Sequence, residues 1–299
     1  MKILVIGGSG LVGSHILRAA TAAGHQIVGT YRKFQLPGLV PLDCADTQAA
    51  EALIQREKPD AVVHAAGWTW VDGCEDDPPR ALAENAEQPE SLARICHSLG
   101  AQFTYFSTSY VFDGAHGPYN EDAAPNPISV YAKSKLEGEQ RVREASGNGA
   151  LIPRVICVYG AEAQRKNFAY QVRRAMEEGK VMTLPSDQRG NPTYAGDVAR
   201  WLLFLLERRE KGTWHLAGPW PDCARPEWAE KLVAAFTALG VKRHPGFALK
   251  AVPTAELKQR ALRPLKAGMV SAKAARAGLD LTPTDFTQSV RELLVEFKV

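Results

Sequence analysis

The 299-residue sequence predicts an α/β protein, a doubly wound parallel sheet with a smaller, interleaved C-terminal α/β lobe. Three observations carry that reading. Apolar runs of strand length alternate with amphipathic stretches of helix length through the first 160 residues, as in a parallel sheet packed between two helical layers. From Pro219 onward prolines become dense and strand signals weak. No low-complexity linker or internal repeat separates the halves. The expected division is therefore interleaved: residues 1–160 with about 191–217 form the sheet domain, and about 161–190 with 218–299 form the second lobe.

The elements follow in order. Residues 3–6 form a buried-strand run, and the helical spacing of 11–23 ends at Gly24, a natural stop. Residues 26–31 read as a second strand. An amphipathic helix over 47–58 is stopped by Pro59, and 61–66 is a strand. Residues 79–99 are helical up to Gly100, 102–107 extended, 130–144 helical and 151–158 extended. In the second half, 167–178 and 198–209 read as helices, followed by a short strand at 213–216. Further helices are expected at 226–239, 254–261, 271–277 and 283–295. Parallel strands joined through helices connect right-handedly.

Composition narrows the function classes. Apolar residues at 45% and charged residues at 23% exclude disordered and collagen-like chains. The net charge is only +3, and no basic run exceeds Arg208-Arg209, which argues against a nucleic-acid partner. Five cysteines without a C-x-x-C pair read as reduced thiols of a cytosolic protein. The apolar start is too short for the ~7–15-residue core of a signal peptide, and residues 201–206 fall far below the ~20 needed to span a bilayer. A soluble, cytoplasmic protein without membrane partners is expected. The seven histidines show no metal-ligand spacing, so no metal is assigned.

The first strand runs directly into Gly7-Gly8-Ser9-Gly10-Leu11-Val12-Gly13 and then a helix. Glycines allow a tight turn and close backbone approach to a pyrophosphate, which the helix N-terminus attracts. With a strand before and a helix after, the segment predicts a Rossmann-type dinucleotide site. Enzymes that bind NAD usually end the second strand on a carboxylate for the ribose hydroxyl. Here that position reads Thr30-Tyr31-Arg32-Lys33, and a guanidinium suits a 2′-phosphate. NADP(H) is therefore expected over NAD(H), with Tyr31 and Arg32 at the ribose. Asp43 is expected to contact the adenine or to serve as a turn residue. The strand end Ala65-Ala66-Gly67 should close the same crevice.

Tyr131-Ala132-Lys133-Ser134-Lys135 offers Y-x-x-x-K at the start of a helix, with the phenol and ammonium on one face. An ammonium near a phenol lowers its pKa, and the phenol can protonate a carbonyl oxygen as hydride arrives from nicotinamide. Thr108, in Ser107-Thr108-Ser109 at the end of a central strand, lies where ligands bind and can share that oxygen. Trp68 and Trp70 follow a strand that ends at the crevice, so they and Trp220 either stack on a ligand or pack between lobes. Arg189 and Arg263 either neutralise a substrate pyrophosphate or form salt bridges.

These residues carry a family resemblance. Gly7/Gly10/Gly13, His64-Ala65-Ala66-Gly67, Asn85, Ser107-Thr108 and Tyr131/Lys135 resemble the extended short-chain dehydrogenase/reductases. Val71-Asp72, the run Ser107-Thr108-Ser109-Tyr110-Val111-Phe112, residues 187–193 and Arg263-Pro264 resemble their dTDP-4-dehydrorhamnose reductase branch. The resemblance implies Thr108, Tyr131 and Lys135 as the catalytic set, with Lys135 also holding the nicotinamide ribose. It implies hydride transfer from NAD(P)H to a ketone, typically C4 of a deoxyhexose nucleotide, with the C-terminal lobe holding that substrate near Trp68, Val71, Ser109, Cys157, Arg189 and Arg263. The chain departs from the branch pattern at four places. Ser109 stands where many members have Asp, Cys157 where a Trp is typical, and Leu265-Lys266-Ala267 where an Asn is usual. His15 stands where some bacterial members carry a metal-binding Glu at a dimer interface.

The expected activity is NADPH-dependent reduction of a ketone, a nucleotide-linked keto-deoxysugar above others. Two alternatives stay open. One is an NAD(P)-dependent sugar-nucleotide epimerase. The other is a non-catalytic NADP-binding subunit resembling the methionine adenosyltransferase β subunit. A homodimer is left open.

Overall fold

The computed structural model describes residues 1–295. β1 (Lys2–Ile6) leads through the glycine turn into α1 (Leu11–Ala22), β2 (Gln26–Tyr31), β3 (Val40–Pro41), α2 (Thr47–Glu57) and β4 (Ala61–His64). Next come α3 (Val71–Asp76) and α4 (Pro78–Leu82). One π-helical turn, Ala83–Glu87, joins α4 to α5 (Gln88–Ser98), where a single helix over 79–99 was expected. β5 (Gln102–Tyr105), β6 (Ser107–Thr108), α6 (Val130–Ala145), β7 (Leu151–Val155) and β8 (Val158–Tyr159) complete the first half. The strand expected over 151–158 breaks because Cys157 takes φ +47°, a left-handed conformation that leaves the ladder.

The main sheet is parallel, in the order β3-β2-β1-β4-β5-β7, with β6 also paired to β7. Its last strand comes from the second half. After α7 (Phe168–Glu178), β9 (Val181–Pro185), β10 (Arg189–Gly190), β11 (Thr193–Tyr194) and α8 (Ala195–Glu207), β12 (Gly212–Leu216) pairs with β7. The architecture is the doubly wound sheet expected from the sequence. Both faces are buried, and β1 shows why its apolar run is continuous. Ile3 and Val5 pack with Ile16, Leu17, Trp201 and Leu202 of α1 and α8, whereas Leu4 and Ile6 pack with Leu53, Ile54, Leu92 and Phe103 on the other face.

The remaining elements are β13 (Cys223–Ala224), α9 (Arg225–Ala238), β14 (Ala248–Val252), α10 (Ala272–Arg276) and α11 (Phe286–Arg291). A second apolar core gathers Tyr170, Met176, Trp228, Leu232, Phe236 and Phe247 from α7, α9 and the loop before β14. β9 and β14 form a parallel pair that the sequence reading missed. Each strand buries only one residue, Leu184 or Val252, and a polar residue interrupts each apolar stretch, so neither shows a continuous run or clean alternation. The helix expected over 254–261 is reduced to one 3-10 turn, Thr254–Leu257, which Lys258 ends at φ +50°. Among the described residues no helix is long and apolar enough to cross a membrane.

Phe236 is fully buried in the second core. Phe236→Ala is expected to destabilise the chain by about 3–5 kcal/mol in urea unfolding. A loss under about 1 kcal/mol would contradict the packing described.

Candidate active site

In this topology the connections leave β1 in opposite directions, and the crevice beyond the carboxyl ends of β1 and β4 is where ligands bind. A cavity of about 650 Å³ lies there, walled by Gly7, Arg32, Ala66, Tyr131 and Lys135 among others. Its floor is the glycine turn. Gly7 has φ +84°, and its carbonyl accepts from Gly10 N at 3.0 Å. At Gly13 a Cβ would stand 2.3 Å from the Gly7 oxygen, so only hydrogen fits where α1 leaves the turn. Gly10, which precedes α1, supplies no side-chain cap. The first helical N–H groups, which have no intrahelical partners, are thus left for a ligand, and the helix dipole favours an anion there. These features fit a dinucleotide pyrophosphate.

Ser9, Gly10, Leu11, Val12, Ala65 and Gly67 also wall the cavity. Gly13 lies beneath the turn, while Tyr31 continues β2 in register with Pro41. Asp43 is exposed, its Oδ1 accepting from Ala45 N at 3.1 Å as a turn residue. Its neighbours Leu42 and Cys44 face the cavity instead, because side chains alternate along an extended chain. Sequence reasoning missed Glu84 from the π turn and Glu162, Gln164, Lys166 and Asn167 from the loop after β8, all of which line the cavity. Neither segment carries a local motif.

The chemical end is built by α6 and the strand end 106–108. Ser129 caps α6 through Ala132 N, and Glu75 Oε1 accepts from Val130 N at 2.8 Å, which fixes the first turn. Tyr131 is buried, its hydroxyl beside that of Thr108 and its ring edge-on to Tyr110 with centroids 6.0 Å apart. Lys135, also buried, donates from Nζ to the Phe106 carbonyl at 2.6 Å and sits 4.0 Å from the Tyr105 ring centroid. Burial pushes the Tyr131 phenol well above the usual tyrosine range, against the lowering influence of the neighbouring Thr108 hydroxyl. Burial brings Lys135 down to about 7, opposed by the Glu139 carboxylate. The sequence reading expected the ammonium to lower the phenol. Here desolvation dominates the phenol, and the ammonium is given to a carbonyl.

Glu139 is spent elsewhere. It takes a bidentate pair from Arg154, at 2.8 and 2.7 Å, and a 2.5 Å bond from Ser107 Oγ. Asn85 pins the loop after β4, bonding Trp68 N at 2.9 Å and Trp68 O at 3.0 Å.

The expected substrate residues divide. Trp68 and Val71 pack around Tyr131, Cys74 and Ala81, with the Arg80 guanidinium 4.1 Å from the Trp68 ring centroid. Trp70 is 64% exposed, and Trp220 packs on Phe286 in the second core. Ser109 is buried, its hydroxyl without a hydrogen-bond partner among the described residues. Cys157 walls a narrow crevice with Tyr110, Arg189 and Arg225. Arg189 is bonded to Asp222 at 2.6 Å, and Arg263 to Asp72 at 2.9 Å. Of the two roles open to these arginines, both side chains are found in salt bridges. His15 is buried, bonded to the Ala161 carbonyl at 2.9 Å and held down at about 4 by desolvation.

Residues 1–299 match the family model described as the RmlD substrate binding domain. The chain belongs to this family. It is an extended short-chain dehydrogenase/reductase of the RmlD branch, an NAD(P)-dependent oxidoreductase. Three relatives frame this RmlD-family chain. A probable low-salt glycan biosynthesis reductase, Agl14 of Haloferax volcanii, is 38% identical, over 73% of this chain and 74% of that protein. Methionine adenosyltransferase 2 subunit beta of Xenopus tropicalis is 33% identical, over 73% and 67%. A dTDP-4-dehydrorhamnose reductase of Mycobacterium tuberculosis is 35% identical, over 71% and 67%. Among solved structures, the dTDP-4-dehydrorhamnose reductase of Bacillus anthracis in complex with NADP has a TM-score of 0.86 at 26% identity, covering 98% of each chain. The Clostridium acetobutylicum dTDP-4-dehydrorhamnose reductase gives 0.85 at 27%, again covering 98% of each.

Gly13→Val would force the Gly7 carbonyl out of the turn. Calorimetric titration with NADP+ and NAD+ is expected to show at least tenfold weaker binding of both, and affinities near the parent's would remove the turn from the site.

Proposed function

We propose that this chain reduces the ketone of a nucleotide-linked 4-keto-deoxysugar with NADPH, Tyr131 acting as general acid. The observation that carries the reading is that Tyr131 and Lys135 wall the same cavity as the glycine turn, with Thr108 beside the Tyr131 hydroxyl. When bound there, the reduced nicotinamide supplies a hydride. The chain's own residues handle the proton. A phenol raised by burial stays protonated at neutral pH, the state a general acid needs before it gives its proton to the carbonyl oxygen. Thr108 orients that hydroxyl and shares the oxygen. Lys135, one turn along α6 and near 7, is poised to return a proton to the phenolate.

The glycine turn, with residues 65–67, is assigned to the dinucleotide, and Arg32 to its 2′-phosphate. The second lobe holds the sugar nucleotide, with Trp68, Val71, Ser109 and Cys157 nearest the reacting centre. The reductases among the relatives, and the NADP complex of the Bacillus anthracis protein, support both halves of the reading.

NADPH absorbance in the presence of dTDP-4-dehydrorhamnose tests the substrate. Loss of absorbance is expected, and Tyr131→Phe should slow it by about 10²-fold or more, the size of a lost general acid, with NADPH affinity kept. Turnover near the parent's would remove Tyr131 from the mechanism. Tight NADPH binding with no turnover on any ketone, and a co-purifying partner protein, would favour the subunit reading that the methionine adenosyltransferase relatives support.

Arg32→Ala is expected to weaken NADP+ by roughly tenfold or more through loss of a charge-assisted hydrogen bond, leaving NAD+ little changed. Equal effects on both dinucleotides would show that Arg32 does not read the 2′-phosphate.

A further inference from the structure

We propose that Glu84 is the positioning residue for Arg32, so that recognition of a 2′-phosphorylated adenosine depends on a carboxylate from the α4–α5 junction. The inference rests on the NADP(H) reading above and adds to it the device that makes Arg32 selective.

The end of β2 carries no acid, but the fold brings one to it from 52 positions away. Glu84 lies in the π turn Ala83–Glu87, where an extra residue in the helical ladder changes the direction in which side chains leave it. It is buried, and it walls the cavity together with Arg32. Each carboxylate oxygen has one guanidinium. Oε2 accepts from Arg32 at 3.1 Å, and Oε1 accepts from Arg80 at 2.8 Å. Arg80 is itself laid on Trp68, with 4.1 Å to the ring centroid. The carboxylate is therefore fixed from behind by Arg80, and it holds Arg32 from the front.

Arg32 by contrast is a long side chain at the mouth, 36% exposed, with Glu84 as its one hydrogen-bond partner among the described residues. A single N–H is used, so four of the five guanidinium donors remain for a ligand. A free arginine loses much rotamer freedom when it grips a phosphate. The Glu84 bond has already removed part of that freedom, and preorganisation of this kind raises affinity. The pairing leaves the guanidinium its charge, and its remaining N–H donors match a phosphate dianion, whereas a ribose hydroxyl gains less from them.

Isothermal titration with adenosine 2′,5′-bisphosphate, ADP, NADP+ and NAD+ tests the proposal without any turnover. Glu84→Asp keeps the charge but is one methylene short of Arg32. It should weaken both 2′-phosphorylated ligands roughly threefold to tenfold, the ordering cost of one long side chain, with ADP and NAD+ within twofold. In an Arg32→Ala background the same substitution should add nothing, because the two residues act as one unit. Arg80→Leu, at a half-exposed position that does not depend on Glu84→Asp folding, should shift the affinities in the same direction. Equal weakening of all four ligands, additive losses in the double variant, or unchanged affinities would overturn the proposal. If the parent chain bound neither dinucleotide, the cofactor reading would fall and this inference with it. NADP+ binding that Glu84→Asp and Arg80→Leu leave untouched would overturn this inference alone.

Discussion

The placement of α6 against the strand end 106–108 governs the rest of the site. Three side chains at four-residue spacing on one face of α6 meet three consecutive residues of the sheet. Tyr131 stands beside Thr108, Lys135 bonds the Phe106 carbonyl, and Glu139 bonds Ser107. Four-residue spacing stacks these groups along one helical face. A shift of α6 by one residue would therefore break all three contacts together. Arg154 extends the constraint into β7, since Ser107 pairs with Arg154 in the ladder and Glu139 holds the same guanidinium from the helix. A buried ion pair of this sort is weak evidence for stability, because desolvation offsets its attraction. Its use here is geometric: helix, strand end and neighbouring strand have one mutual arrangement in which Glu139 and Arg154 stay paired.

Burial then sets the chemistry of those groups. Removing a phenol from water disfavours phenolate, and removing an ammonium disfavours its charge. The two neighbours are displaced in opposite directions for one reason, the phenol upward and the ammonium down to about 7. The proposed carbonyl reduction needs a phenol that starts protonated and a nearby group able to exchange a proton near neutral pH. Desolvation alone brings both groups to that condition, and Glu139 restrains how far Lys135 falls.

The glycine turn and the Tyr131/Lys135 pair were legible in the sequence because each is a local pattern. Backbone conformation dictates the first, and helical periodicity the second. The parallel sheet was legible because strands buried on both faces are apolar without interruption. What escaped was assembled from distant parts. The exposed β9–β14 pair has no apolar period to detect. Glu84 sits in a helix whose local sequence gives no sign that a π turn redirects it. The sequence leaves Asp43 open between an adenine contact and a turn; in the structure Leu42 and Cys44 line the cavity and the exposed aspartate is a turn acceptor.

The arginines show how charge is distributed between ligand and fold. A guanidinium read from sequence as an anion binder needs N–H donors left over for the anion, and how many remain is a property of the neighbourhood. Arg189 is held by Asp222, and Arg263 by Asp72. The second pairing explains two fragments of the family resemblance at once. Val71-Asp72 and Arg263-Pro264 are 191 positions apart, yet Asp72 Oδ1 accepts both from Arg263 and from the backbone of Ala261 at 3.0 Å. Asn191 makes a similar junction, donating to the Gly218 and Met269 carbonyls and accepting from Met269 N. Residues singled out for the resemblance thus stand where the last hundred residues are tied to the rest of the chain, and those ties fix the second lobe against the sheet domain.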